Sequence, residues 1–440
     1  MEEIHIQMRD NLPSIEHILR PITYTSWLLG AGVAHPRKYP KIVTIILRII
    51  YLILCFISMI FEMKGFFDID IIFLNIYSFV EFIYYVTRYT FMYYCIYQVT
   101  RQYDKWPELM DKIKEFDQKI RTEILISDRP IKILEALAIV VTFTCCPLCI
   151  IVTILYYYFT NPNQIRSNRI IPYYTLAQSL MNSFVFDVVV YALYYRLQAI
   201  NKLIGQLNEL SDALKIRRIR EMHNGICDLV IMVNDIYGFN LLICSMNCLV
   251  MVLFELSAIY LVVTKIFTSS LMYYVKLIIS LILYTMQFGL ICWNCTLACR
   301  EFNKTAIIIY AILLNFKHVN FKLKGRRCQS NLEIRTLVKG PNSSQNSIWN
   351  SSHYWNNIAA ENLQRRHAEN PRKNLNCERI ENEINDFLIQ LQHRRILFTA
   401  YDFFEINNGA FCAFIGVIIV YMTICIQFFK SWLIKRIVTQ

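Results

Sequence analysis

Ala410–Phe429 reads AFCAFIGVIIVYMTICIQFF, twenty consecutive residues without one charge. A helix needs about 20 apolar residues to cross roughly 30 Å of hydrocarbon, so this stretch predicts a membrane span. Six more apolar stretches precede it: Ile42–Phe61, Ile69–Tyr97, Ile133–Phe159, Ile170–Tyr195, Ile236–Val263 and Leu271–Cys299. The expected fold class is therefore an all-α membrane protein with seven transmembrane helices.

The basic residues sort between alternate connections. The N-terminal segment and the connections after spans two, four and six hold 35 Lys and Arg, while the other three connections and the C-terminal tail hold 7. Basic loops stay on the cytoplasmic side, which predicts a cytoplasmic N-terminus and an extracellular C-terminus. G-protein-coupled receptors run the other way.

Composition narrows the classes further. The chain has 440 residues, 55% of them hydrophobic and 14% aromatic, which favours a multi-pass protein of the plasma membrane over several soluble domains. The net charge of +12 lies in the expected cytoplasmic connections, where it acts as a topology signal beside anionic lipid rather than as a nucleic-acid surface. None of the fifteen cysteines falls in an expected extracellular connection, so no disulfide framework is expected. Cys292-x-x-Cys295 has half a zinc-site spacing but sits in an apolar helix without nearby His, and small packing residues are the better reading. No Walker loop, Gly-rich nucleotide fingerprint or HExxH motif occurs, and all eight histidines lie outside the spans. No enzyme activity, cofactor or metal is expected.

Three connections carry helical apolar stripes: Trp106, Leu109, Met110, Ile113, Phe116 and Ile120; Leu197, Ile200, Ile204, Leu207, Leu210 and Leu214; and Ile380, Ile384, Phe387, Leu388 and Leu391. Such stripes need partners, and a shared cytoplasmic bundle satisfies them; the alternative is helices lying flat on lipid. Arg326 to Asn376 is polar and aperiodic and reads as a disordered insertion, its Asn342 and Asn350 glycosylation patterns falling there by chance. The expected organisation is a cytoplasmic segment over 1–41, a six-helix ligand-binding bundle over 42–300, a cytoplasmic connection over 301–408 with an amphipathic helix at 378–395, and a pore helix with a short extracellular tail over 409–440.

Ionisable side chains inside spans are costly and are candidates for function. Glu81 and Arg88 share a face of span two, Asp187 is placed to pair with Arg88 or Arg196, and Glu255 and Lys276 lie in the outer halves of their spans, where they would line a vestibule. The same outer halves hold tyrosines and amides, a composition suited to a small organic ligand. The candidate ligand-binding residues are Glu81, Gln178, Asn182, Glu255, Tyr284 and Gln287. Amides in apolar helices demand hydrogen-bond partners, whether protein or ligand.

The last span carries Val420-Tyr421-Met422-Thr423-Ile424-Cys425-Ile426-Gln427-Phe428. Val420, Ile424, Gln427 and Phe428 fall on one face, and a Gln beside a bulky Phe suits a gate if several copies meet around an axis. This stretch resembles the C-terminal signature of the insect gustatory receptors, Thr-Tyr, several hydrophobic residues, then Gln-Phe. Phe387-Leu388-Ile389-Gln390-Leu391, Phe398-Thr399-Ala400-Tyr401-Asp402-Phe403-Phe404 and Cys295-x-x-Ala298-x-Arg300-Glu301-x-x-Lys304-Thr305 resemble that family's upstream segments, in order. Val420 replaces the usual Thr, and Asp402 stands where Gly is common. The resemblance implies a taste chemoreceptor that is a ligand-gated, non-selective cation channel, a homotetramer or a heterotetramer with related receptors. A sugar or bitter compound would open it. Tyr421, Gln427 and Phe428 would be the family motif, and Ile424, Gln427 and Phe428 would form the gate. A heptahelical receptor signalling through cytoplasmic partners, or a transporter, are the competing readings.

Overall fold

The computed structural model describes residues 15–67, 76–124, 126–160, 171–207, 213–264, 271–337 and 378–438. Two short helices, α1 (Ile15–Ile18) and α2 (Arg20–Leu28), lead into the long ones: α3 (Lys41–Phe67), α4 (Ile76–Arg101), α5 (Lys105–Glu123), α6 (Arg129–Thr160), α7 (Ile171–Gly205), α8 (Ala213–Val263) and α9 (Leu271–Leu337). A helix over 378–393, α10, and α11 (Asn408–Val438) complete the chain. Six of these, α3, α6, α7, α8, α9 and α11, contain stretches long and apolar enough to cross a membrane. The seventh expected span, α4, is long enough at 26 residues, but its tyrosines, Glu81 and Arg88 make it less apolar. Each expected span falls on one of these helices, although the start of the second (69–75) and Ile170 of the fourth lie outside the described residues.

The chain divides into two compact units. In the first, α7 is central: 94% of its most apolar window is buried, against 22% in α3 and α6 and 17% in α11. α5 buries the predicted stripe of Trp106, Leu109, Met110, Ile113, Phe116 and Ile120. Arg196, fully buried, donates to both oxygens of Asp117 on α5 at 2.8 and 2.9 Å and reaches Asp128 at 3.4 Å. Arg121 pairs with the same Asp128, so two guanidinium groups and two carboxylates neutralise one another.

A tight hairpin precedes α11. Ala400 donates to Phe404 O and Ile406 to Phe398 O at 2.9 and 2.8 Å. Tyr401 and Asp402 between them take φ of 52° and 59°, the paired left-handed conformation of a type I′ turn. A glycine, which the resemblance implies at position 402, would adopt this conformation freely. Asp402 occupies it by accepting a hydrogen bond from Thr399 Oγ1 at 3.0 Å, a local bond that helps Asp tolerate this conformation. Gly238 lets α8 approach closely: a Cβ there would lie 3.3 Å from the Tyr401 backbone nitrogen.

The second unit contains residues 198–225 and 301–395. Ile380, Ile384, Phe387 and Leu391 of α10 are buried as predicted. Arg220 pairs with Glu383 at 3.1 Å and Asp386 at 2.9 Å, and Asn201 donates to the Glu301 carbonyl at 2.9 Å while accepting from Thr305 at 2.6 Å. His223 is enclosed, its ring 4.9 Å from Phe302 and 5.4 Å from Phe387. The stripe after span four holds through Leu197, Ile200 and Ile204. It fails at Leu214, which is exposed, because α7 stops at Gly205 and the helical register is not continued; Leu210 lies outside the described residues. α9 continues to Leu337, into the segment expected to be aperiodic. Residues 338–376 of that expected insertion, with Asn342 and Asn350, lie outside the described residues.

Candidate functional site

Two polar clusters are buried among the helices of the first unit, and they differ in kind. The first gathers amides and small hydroxyls. Gln287 Nε2, with two hydrogens to donate, lies within hydrogen-bond range of Ser179 O, Ser179 Oγ, Ser183 Oγ and Cys244 Sγ at 3.1, 2.9, 2.6 and 3.3 Å. Asn247 donates to Ser179 Oγ at 3.4 Å. Asn182 donates to Asn240 Oδ1 at 2.8 Å, and Gln178 to the Gly30 carbonyl at 2.8 Å. All three candidate amides are buried and their N–H groups find protein partners, while Gln178 Oε1 and Asn182 Oδ1 have none among the described residues.

The second cluster is aromatic and charged. Arg88 on α4 pairs with Glu62 on α3 and donates to Tyr84 Oη at 2.9 Å. Its guanidinium carbon lies 5.0 to 5.2 Å from the ring centres of Tyr84, Tyr85 and Tyr89, within cation–π range. Tyr84 stacks on Phe254 of α8 at 4.1 Å, and Tyr85 donates to Glu81 at 3.4 Å. Beside Phe254, Glu255 is hydrogen-bonded to Ser280 and lies in the field of Lys276. Lys276 sits 5.5 Å from the Tyr273 ring centre and interacts electrostatically with Tyr173 and Tyr84. Tyr284 closes the set, buried next to Tyr84 and Glu255.

Of the six predicted ligand residues, Glu81, Glu255 and Tyr284 thus belong to this second cluster, whereas Gln178, Asn182 and Gln287 belong to the amide network. Lys276 is half-buried, in the field of Glu255 and beside tyrosines. Asp187 pairs with neither Arg88 nor Arg196. It accepts from Asn294 Nδ2 at 2.9 Å, since both arginines have carboxylates supplied by other helices. Glu62, one residue past an expected span, and Glu135, which accepts from the Ile22 backbone N–H at 2.9 Å, were not singled out from sequence. Nor was Arg48, the lone charge of its apolar span. Intramembrane charge was the available signal for the last two. Among the described residues no group of three His, Cys, Asp or Glu gathers to hold a metal.

The residues expected from sequence to form the family motif and gate lie on α11. Tyr421 Oη is 3.0 Å from Ser257 Oγ of α8, and Phe414, Ile418 and Cys425 are buried on the same side. Val420 is 60% and Ile424 46% exposed, and Gln427 is exposed as well. The side chain of Phe428 lies outside the described residues.

Against known proteins, the sequence model of the family described as 7tm Chemosensory receptor matches residues 19–325 and 335–430. The chain belongs to this seven-transmembrane chemosensory receptor family. Among solved structures it is similar to the insect olfactory receptor OR5 from Machilis hrabei, with 11% identity over 94% of this chain and 98% of that one and a TM-score of 0.61. The same receptor in complex with eugenol matches at 11% identity over 93% and 97% with a TM-score of 0.62. No curated protein matches the sequence. At this identity the likeness establishes a shared fold, and the family membership makes this chemosensory receptor a multi-pass membrane protein.

Proposed function

We propose that this chemosensory receptor is a gustatory receptor of the plasma membrane. In this reading it is a ligand-gated, non-selective cation channel opened by a small-molecule tastant, a sugar or bitter compound. The N-terminus would be cytoplasmic and the C-terminus extracellular, following the basic residues. The aromatic and charged cluster of Tyr84, Glu255, Lys276 and Tyr284 would take the ligand, and α11 from four copies would surround the pore.

The observation that carries this reading is the division of α11 into two faces. Tyr421 and Cys425 pack towards α8, while Val420 and the expected gate residues Ile424 and Gln427 remain uncovered within one chain. A pore-lining helix in an oligomer has this character. Binding of eugenol by OR5 supports a small organic ligand as the class. Single-channel recording of purified protein in planar bilayers tests it: unitary currents evoked by a tastant and altered in selectivity by Gln427→Ala are expected. Tastant flux without unitary events would make the protein a transporter. An extracellularly inaccessible C-terminal tag on intact cells would overturn the orientation.

A further inference from the structure

A polar cavity lies apart from both buried clusters, near the start of the chain. It measures about 250 Å³ and is bounded by α1, α2, the connection into α3, and α5. Buried His35 and Trp106 form part of its floor. Its rim is cationic: Arg20 from α2, Arg37 and Lys38 from the connection, and Lys114 from α5, all exposed.

These charges do not cancel. Glu16 is the one carboxylate among the described residues that lines the cavity, and it pairs with Arg37 at 3.2 Å. Arg37 also holds Asp111 at 2.7 Å and the Pro107 carbonyl at 2.9 Å, so this arginine is already engaged. Arg20, Lys38 and Lys114 enter no ion pair among the described residues. Arg20 lies over the Tyr24 ring instead, 5.4 Å from its centre. Three uncompensated cations from three elements thus border one concave space, which focuses a positive potential there.

The location narrows the choice of anion. Lys38 precedes Ile42, where the first expected span begins, by only four residues. Tyr39 stacks on Trp27 at 4.5 Å and meets Tyr24 edge-on at 6.1 Å, and such aromatics settle at a membrane–water interface. The cavity therefore sits at headgroup depth beside the start of α3. It is smaller than the roughly 300–1,000 Å³ of a drug-sized pocket, which suits a headgroup whose acyl chains stay in the bilayer. Lysine and arginine both bind phosphate, and several cations match a group with several charges.

We propose that this cavity binds a phosphate-bearing polyanion, presented as the headgroup of an anionic lipid beside α3. Placing that lipid in the cytoplasmic leaflet rests on the orientation proposed above; the cavity and its charge do not.

Titration of the full-length receptor in phosphatidylcholine nanodiscs tests this, with short-chain phosphatidylinositol bisphosphate as one probe and soluble inositol trisphosphate as the other. Both faces of a nanodisc are accessible, so a wrong orientation leaves the result unchanged. Saturable binding of the lipid probe is expected, weakened about five-fold by Arg20→Gln or Lys114→Gln and roughly twenty-five-fold by both. These exposed side chains have no ion pair to lose, and melting temperatures equal to the wild type show that the variants fold. Lys112→Gln with Lys119→Gln removes the same charge from α5 outside the cavity and should leave binding unchanged. An equal loss in that control pair, or an equal response to phosphatidylglycerol of the same total charge, makes the effect a diffuse attraction and overturns the site. Absence of saturable binding by either probe overturns it as well. Inositol trisphosphate binding as tightly as the lipid keeps the phosphate site but overturns the lipid as its source.

Discussion

The hydroxyls of Tyr421 and Ser257 lie 3.0 Å apart, joining α11 to α8. Ser257 follows Glu255 by two residues, about 200° around the helix at 100° per residue. One turn of α8 therefore presents Glu255 to the aromatic cluster and Ser257 to α11. A movement of that turn is felt on both sides.

Breaking this bond should alter coupling without emptying the ligand site. A neutral hydrogen bond contributes about 1 kcal/mol, or roughly five-fold in an equilibrium. Tyr421→Phe and Ser257→Ala should each shift the agonist concentration–response by about that factor, and the double mutant should do no more than either single one. Additive shifts at normal surface abundance would show that the two hydroxyls act separately.

The two polar clusters predict opposite phenotypes. Gln287→Ala removes a donor shared by Ser179, Ser183 and Cys244, so it should lower surface abundance while leaving the dose–response of the surviving receptors unchanged. Glu255→Gln should reach the surface and shift the response by roughly five- to a hundred-fold, the effect of about 1–3 kcal/mol in a partly dry site. Surface labelling together with concentration–response curves separates them. Reversed phenotypes would place the ligand in the amide network.

At the turn before α11, Asp402→Gly should be close to neutral, because glycine adopts φ near +59° freely and offsets the lost Thr399 bond. Asp402→Val should cost about 2 kcal/mol, since a β-branched residue is strained there and the Thr399 bond also goes. Thermal unfolding of both variants in detergent is the measurement, with the Val variant melting several degrees lower.

His223 gives the second unit a pH dependence. Burial pulls its pKa from 6.5 down to about 4, so the folded state holds it neutral while the unfolded chain protonates below pH 6.5. Its contribution to stability is complete above that value and declines as pH falls toward 4, by at most about 2 kcal/mol at pH 5. His223→Gln should therefore lose less stability than the wild type between pH 7 and pH 5, read by melting temperature at each pH. An equal loss in both proteins would assign the acid sensitivity to other groups.

The spans and amphipathic helices were legible because their signal is local: apolar runs of span length, and stripes at helical spacing such as Trp106 to Ile120. Pairing was not. Asp187 and Arg88 both stood out as intramembrane charges, yet Arg88 meets Glu62 across α3 and Asp187 meets Asn294 across α9, because helix rotation decides which face meets which neighbour. Glu135 shows the same limit, its partner Ile22 lying 113 residues away. For the candidate site, the sequence put into one group residues that the structure divides between two clusters. Gln178, Asn182 and Gln287 cannot be told from Glu255 and Tyr284 by depth in the bundle alone. Asp402 was visible as a departure from the family pattern, while its reason, a positive φ, belongs to the backbone.

The pairing of Arg88 with Glu62 also bears on how the polypeptide enters the bilayer during synthesis. α4 carries both Glu81 and Arg88 and many tyrosines, and charged residues within a span make insertion of a lone helix costly. α3 emerges from the ribosome first and brings Glu62 with it. The two helices can then leave the translocation channel as a hairpin whose opposing charges are already joined. Glu62 in that case serves biogenesis before any ligand is met, and its loss would be felt as retention in the endoplasmic reticulum.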